Sequence, residues 1–255
     1  MQQQLKALLS TGQPGSIALT APDRTALTHG SLQRLIDDTL SWLNAQGIGR
    51  NDRVAIVLDN GPEMAAAFVA CACGVTSAPL NPAYRADEFE FYLKDLDAKA
   101  LIVAAGSTSP AVEAARRLGV RLIDLHPVPQ GGAGAFTLAM HDDALQPLPA
   151  LPSGRSGGAQ PDDISMVLHT SGTTSRPKIV PLSQKNLCAS AVHIGRTLQF
   201  TSGDRGLNIM PLFHIHGLIA GILAPLAAGS QVFCTPGFNA CLLYTSDAAD
   251  DLTRV

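Results

Sequence analysis

Short apolar, β-branched runs alternate with amphipathic helical patterns over residues 31–125, and this alternation restricts the chain to few folds. Leu32, Leu35, Ile36, Leu40 and Leu43 fall on one helical face, with Ser31 as the expected N-cap and Gly47 in the turn that follows. Residues 53–58 read as a buried strand. Pro62 suits the first turn of a helix that ends near Gly74. Residues 87–96 form a second amphipathic helix, with Phe89, Tyr92, Leu93 and Leu96 inward. Strand 100–103, helix 111–118 and strand 121–125 follow. The expected class is therefore α/β: layered, mostly parallel sheets flanked by helices. From 126 to 160 the pattern dissolves into Pro, Gly and Ser, as expected of a long surface connection or a linker between subdomains. It resumes with a buried strand at 164–168 and a helix at 183–198.

Composition narrows the function. Hydrophobic residues make up 46% and charged residues 15%, enough for a sizeable core and too apolar for disorder. The net charge of -3, with no basic run, gives no electrostatic footprint for nucleic acid. The five cysteines, at 71, 73, 188, 234 and 241, follow no disulfide-scaffold pattern. Cys71 and Cys73 lie inside an apolar helical run and read as packed thiols rather than metal ligands. The first residues, MQQQLK, lack a signal peptide's basic start and apolar centre, so a reducing, cytoplasmic setting is expected. Residues 207–246 contain no Asp, Glu, Lys or Arg. The most apolar window, 217–229, is shorter than the roughly twenty residues a membrane span needs, and it contains Pro225. A buried helix followed by a core strand at 231–234 is the expectation, with no membrane partner.

The chemistry concentrates in residues 169–178, HTSGTTSRPK. Gly172 allows positive φ, so successive backbone N–H groups can converge on an anion. The hydroxyls of Thr170, Ser171, Thr173 and Thr174 add donors, and Lys178 adds a compact positive charge. Read between strand 164–168 and helix 183–198, this is a phosphate cradle. It lacks the GxxxxGK[ST] spacing of a Walker A loop.

Thr170, Ser171, Gly172, Thr173, Thr174, Pro177 and Lys178 together resemble the signature loop of the adenylate-forming (AMP-dependent) enzymes: acyl-CoA synthetases, firefly luciferases and the adenylation domains of peptide synthetases. Residues 211–217, PLFHIHG, are similar to the family's second motif. The blocks LTHGSL (27–32), GRNDRVAI (49–56), NGPE (60–63) and APLNP (78–82) fall in the family's order. The resemblance extends over residues 19–240. His169, Ser175, Arg176, residues 211–218, LNPAY (80–84) and EFEFY (88–92) are similar to the oxalate–CoA ligase branch. Most relatives carry Gly where this chain has Ser175 and Ile179; the first departure is shared with that branch.

The resemblance implies an acid–thiol ligase. A carboxylate attacks the α-phosphorus of ATP, giving acyl-AMP and pyrophosphate, and CoA then takes the acyl group. It places Thr170, Ser171, Gly172, Thr173, Thr174 and Lys178 on the β- and γ-phosphates, with Thr170 also a candidate ligand for Mg²⁺. It places His214 beside the carboxylate, and His214 and His216 become candidates for holding a small dianionic acid such as oxalate. His169 either lines a pocket or ends its strand. An adenylation domain serving a carrier protein and a non-catalytic nucleotide-binding module are the alternative readings.

Relatives in the family are about twice this length. The resemblance therefore implies a partial N-terminal AMP-binding domain over 1–240, without the C-terminal domain. The Mg²⁺-binding glutamate, ribose-binding aspartate and catalytic lysine of the family would lie beyond it. Residues 241–255 break from the family abruptly, and CLLYTSDAAD can be written in the codons of a sequencing-library adapter. That tail is expected to be non-native, with no functional weight on Cys241 or Tyr244.

Overall fold

The structure is a computed structural model that describes residues 2–141, 155–170 and 177–238. In chain order its elements are α1 (Leu5–Leu9), β1 (Ile17–Thr20), β2 (Leu27–Thr28), α2 (His29–Ala45), β3 (Arg53–Val57), α3 (Pro62–Ala72), β4 (Thr76–Pro79), α4 (Ala86–Asp95), β5 (Ala100–Ala104), α5 (Pro110–Leu118) and β6 (Arg121–Pro127). Then come β7 (Phe136–Met140), β8 (Ile164–Thr170), β9 (Lys178–Ser183), α6 (Gln184–Thr197), β10 (Arg205–Asn208), a π-helix (His216–Leu223), α7 (Ala224–Ala227) and β11 (Gln231–Cys234).

Seven strands form one sheet in the order β7-β6-β5-β3-β4-β8-β9, and four form a second in the order β10-β11-β1-β2. Within the first sheet β6, β5, β3, β4 and β8 run parallel, and the two outer strands run antiparallel. In the second sheet β10, β11 and β1 are parallel and β2 reverses. The expected α/β class with mostly parallel sheets is what forms.

α3 explains the layering. Every residue from Met64 to Ala72 is buried, and a helix apolar all round has to be covered on all sides. Phe68, fully buried in this helix, contributes about 2–3 kcal/mol through its removal from water. One core joins α1, α2, α3, α6 and the π-helix with both sheets. The second core lies on the opposite face of the seven-stranded sheet, under α4 and α5. Cys71 belongs to the first core, and burial pushes its thiol up to about 12, which makes it an inert packing group.

Several sequence expectations need correction. Thr28, not Ser31, caps α2: its Oγ1 accepts from the Ser31 N–H at 3.1 Å. The helix begins earlier because Leu27 and Thr28 are tied into β2. The stretch 126–160 contains β7, which pairs antiparallel with β6 from Ile123↔Met140 to Pro127↔Phe136. Glycines and Pro129 before it hid the strand. Gly134 has φ +85°, and a Cβ there would lie 2.6 Å from the Pro62 carbonyl oxygen, so this turn packs directly on the start of α3. The strand before residues 171–176 is followed by a strand, not immediately by a helix. β9 pairs with β8, and Ser183 at its end caps α6 by accepting from the Asn186 N–H. Pro181 disguised β9, but an edge strand tolerates proline because one row of its N–H groups is unpaired. Among the described residues, no helix is long and apolar enough to cross a membrane.

Candidate active site

Two parallel strands of each sheet end at one cleft. Leu58, Asp59 and Asn60 follow β3; Leu80 and Pro82 follow β4; Met210 to Phe213 follow β10; Pro236 to Phe238 follow β11. With Met64 of α3 they line a cavity of about 650 Å³. The carboxyl ends of parallel strands are where open α/β sheets bind ligands, because the loops there diverge and leave room. Most of the lining is apolar; Asp59 and Asn60 supply its polar side chains.

Asn60 holds this cleft in shape. Its Oδ1 accepts from the Leu212 N–H at 2.8 Å. Its Nδ2 donates to the Met210 carbonyl at 3.2 Å and the Thr235 carbonyl at 3.3 Å. One side chain after β3 thus ties the exits of β10 and β11 to the other sheet. The sequence contained Asn60 only as part of the NGPE block, without a role. Nothing local signals it, since its partners lie about 150 and 175 residues away. Asn60→Ala removes three hydrogen bonds and is expected to cost about 2–3 kcal/mol, read as a lower urea midpoint at unchanged m-value. Equal stability of the variant would remove this bridging role.

The predicted phosphate residues are partly placed. Ser171, Gly172, Thr173 and Thr174, with Ser175 and Arg176, lie outside the described residues. Thr170 is exposed at the end of β8, and Lys178 is exposed at the start of β9. The two are paired residues of the antiparallel ladder, so their side chains emerge on the same face. Met166 of β8 is level with Ser77 of β4. Thr170 lies as far beyond Met166 as Asn81 lies beyond Ser77, so β8 delivers the Thr170–Lys178 pair to the end of the sheet that carries the cleft.

The second motif also arrives at this end. Pro211, Leu212 and Phe213 line the cleft. His214 follows, exposed, its ring 4.7 Å from that of Phe213. His216 is exposed and starts the π-helix, an irregularity that recurs at functional sites. Neither histidine is among the cleft's lining residues. Gly217 is buried, and a Cβ there would lie 2.5 Å from the Pro211 carbonyl oxygen, so a hydrogen at this position lets the motif fold back on itself. His169 does not face the cleft: its side chain packs on α4 beside Tyr92 and Asp95. Among the described residues there is no cluster of three or more His, Cys, Asp or Glu suited to a metal.

The fold is thus a two-sheet α/β domain in which strands of both sheets end at one cleft, with the Thr170–Lys178 pair at the same end. The chain belongs to the AMP-binding enzyme family, whose model matches residues 9–254. It is 39% identical to the oxalate–CoA ligase of Arabidopsis thaliana over 86% of this chain and 42% of that protein. It is 30% identical to the sulfoacetate–CoA ligase of Cupriavidus necator over 98% of this chain and 48% of that protein. The chain thus spans less than half the length of these relatives. Its fold is similar to that of ATP-bound MatB from Rhodopseudomonas palustris, with a TM-score of 0.76 at 23% identity over 96% of this chain and 47% of that one.

Proposed function

We propose that the protein to which this chain belongs is an ATP-dependent acid–CoA ligase acting on a short carboxylic acid, with oxalate the leading candidate. The observation that carries the reading is the convergence of the Thr170–Lys178 pair and the PLFHIHG segment at the end of the sheets where the cleft opens. Identity to an oxalate–CoA ligase supports the acid and the thiol. Relatives that carry the name CoA ligase favour CoA over a carrier protein as acceptor. The four cysteines among the described residues are free and buried, which supports a reducing, cytoplasmic setting.

In this reading the carboxylate oxygen bonds to the α-phosphorus as the bond to the bridging oxygen of pyrophosphate breaks. The CoA sulfur then bonds to the acyl carbon and AMP leaves. Two anions approach each other in the first step, so the site has to neutralise and orient charge. Lys178 and the hydroxyls of Thr170, Ser171, Thr173 and Thr174, with the backbone around Gly172, hold the β- and γ-phosphates. His214 orients the carboxylate, and His216 adds a donor for a dianion. Mg²⁺ bound with ATP would supply further charge neutralisation. Thr170 would offer it one oxygen ligand.

Acid-dependent exchange of pyrophosphate into ATP by the full-length protein, with oxalate compared against longer acids, tests the reaction. Thioester formation on adding CoA tests the second step. Exchange with no acid in the panel overturns the ligase reading. Acyl-AMP formed without thioester overturns the acceptor. His216→Phe is expected to raise the KM for oxalate more than the KM for ATP; an unchanged oxalate KM rules His216 out as an acid-binding donor.

A further inference from the structure

Asp95 stands where a helix disfavours it. It is the last residue of α4, at the end where outward-pointing carbonyls disfavour a carboxylate. Its Oδ2 lies 3.1 Å from His169 Nε2. His169 is the penultimate residue of β8, and its side chain is 6% exposed. Its ring meets Tyr92 edge-on at 4.6 Å, and Tyr92 stacks on Tyr84 at 4.7 Å. Tyr84 lies in the turn between β4 and α4, so the cluster joins α4, β8 and the exit of β4. Burial holds the His169 imidazole below its ordinary pKa, with Asp95 opposing that shift. The ring is therefore neutral at pH 7, and the hydrogen bond to Asp95 assigns its proton to Nε2.

The geometry of β8 gives this contact a consequence. His169 pairs with Ile179, and Thr170 pairs with Lys178. Successive side chains alternate across a sheet, so His169 grips α4 while the next pair, Thr170 and Lys178, faces the other way. We propose that His169 and Asp95 are positioning residues: their hydrogen bond, braced by Tyr92 and Tyr84, clamps the β8–β9 ladder to α4 and fixes where Thr170 and Lys178 stand. This rests on the reading that Thr170 and Lys178 bind the phosphates of ATP. Neither His169 nor Asp95 touches substrate in this arrangement.

The test is Asp95→Ala in the full-length protein. Alanine is the better helix former and takes a carboxylate away from the helix end, which offsets the lost hydrogen bond in overall stability. The clamp predicts amide exchange at least about tenfold faster in β8 and β9 but unchanged in β3 and β5. It also predicts an ATP KM about tenfold higher, with kcat changed less. His169→Ala behaves in the same way, whereas His169→Gln, which keeps a donor near the Nε2 position, stays close to wild type. Unchanged exchange in β8 and β9 in both alanine variants overturns the clamp. Faster exchange with an unchanged ATP KM overturns its role in positioning and leaves a packing contact. Absence of ATP-dependent turnover in the wild type counts against the phosphate reading instead, and the exchange measurement still decides the clamp.

Discussion

Lys178→Ala in the full-length protein is expected to lower kcat/KM for ATP by about 100- to 1,000-fold while leaving the melting temperature within a degree or two. The magnitude is that of removing one preorganised charge from a site where an anionic transition state develops. The stability half follows from placement. Lys178 is exposed at the first residue of an edge strand, and its backbone, not its side chain, pairs with Thr170. Surface substitutions of that kind stay within about 0.5 kcal/mol. Lys178→Arg keeps the charge but replaces a compact ammonium with a planar fork, so it restores only part of the rate. Steady-state kinetics with ATP varied, beside thermal unfolding of the same preparations, make the comparison. A kcat/KM within threefold of wild type for Lys178→Ala would remove this lysine from the phosphate site.

The second large effect is on folding. Gly217→Ala destabilises the protein by about 2–3 kcal/mol, although glycine-to-alanine changes inside helices ordinarily stabilise by up to about 1 kcal/mol. The added carbon would sit 2.5 Å from the Pro211 carbonyl oxygen, 3.2 Å from its carbonyl carbon and 3.3 Å from Met210 Cβ. Two of those three atoms are backbone and cannot swing aside. The turn from Met210 to Phe213 has to move, and it lines the cleft. Gly195, inside α6, is the internal control: its added carbon meets only the Ala224 carbonyl oxygen, at 3.7 Å, an ordinary contact. Gly195→Ala therefore holds or raises the melting temperature, while Gly217→Ala lowers it by roughly 5 °C or more. Gly217→Ala unfolding at or above the wild-type temperature would show that the Pro211 carbonyl yields.

Much of the fold was legible because its signals are local. Residues 53–58 and 100–103 are β-branched runs, and they are the central strands β3 and β5. The apolar run after Pro62 became α3, and a helix without a polar face has to lie between layers. The apolar stretch near 217–229 became the π-helix and α7, followed by the strand β11. Among the strands that escaped, β7 and β9 are the two edges of the large sheet, while β4 lies inside it and β1, β2 and β10 belong to the second sheet. Edge strands face one neighbour and part solvent, so their composition is mixed, and here Pro181 and the glycines before β7 broke the pattern further.

The sequence by itself determined the alternation that makes an α/β fold, the family, and which residue types gather in HTSGTTSRPK and PLFHIHG. Those are properties of neighbours along the chain, set by side-chain period and spacing. Only the tertiary structure decided what those residues face. It turned a presumed strand-to-helix loop into the tip of a ladder in which Thr170 sits opposite Lys178. It directed His169 onto Asp95 of α4. It made Asn60 the bridge between the two sheets. Each of these is a pairing between segments distant in sequence, fixed by the register of strands and the packing of layers, and no local period encodes it.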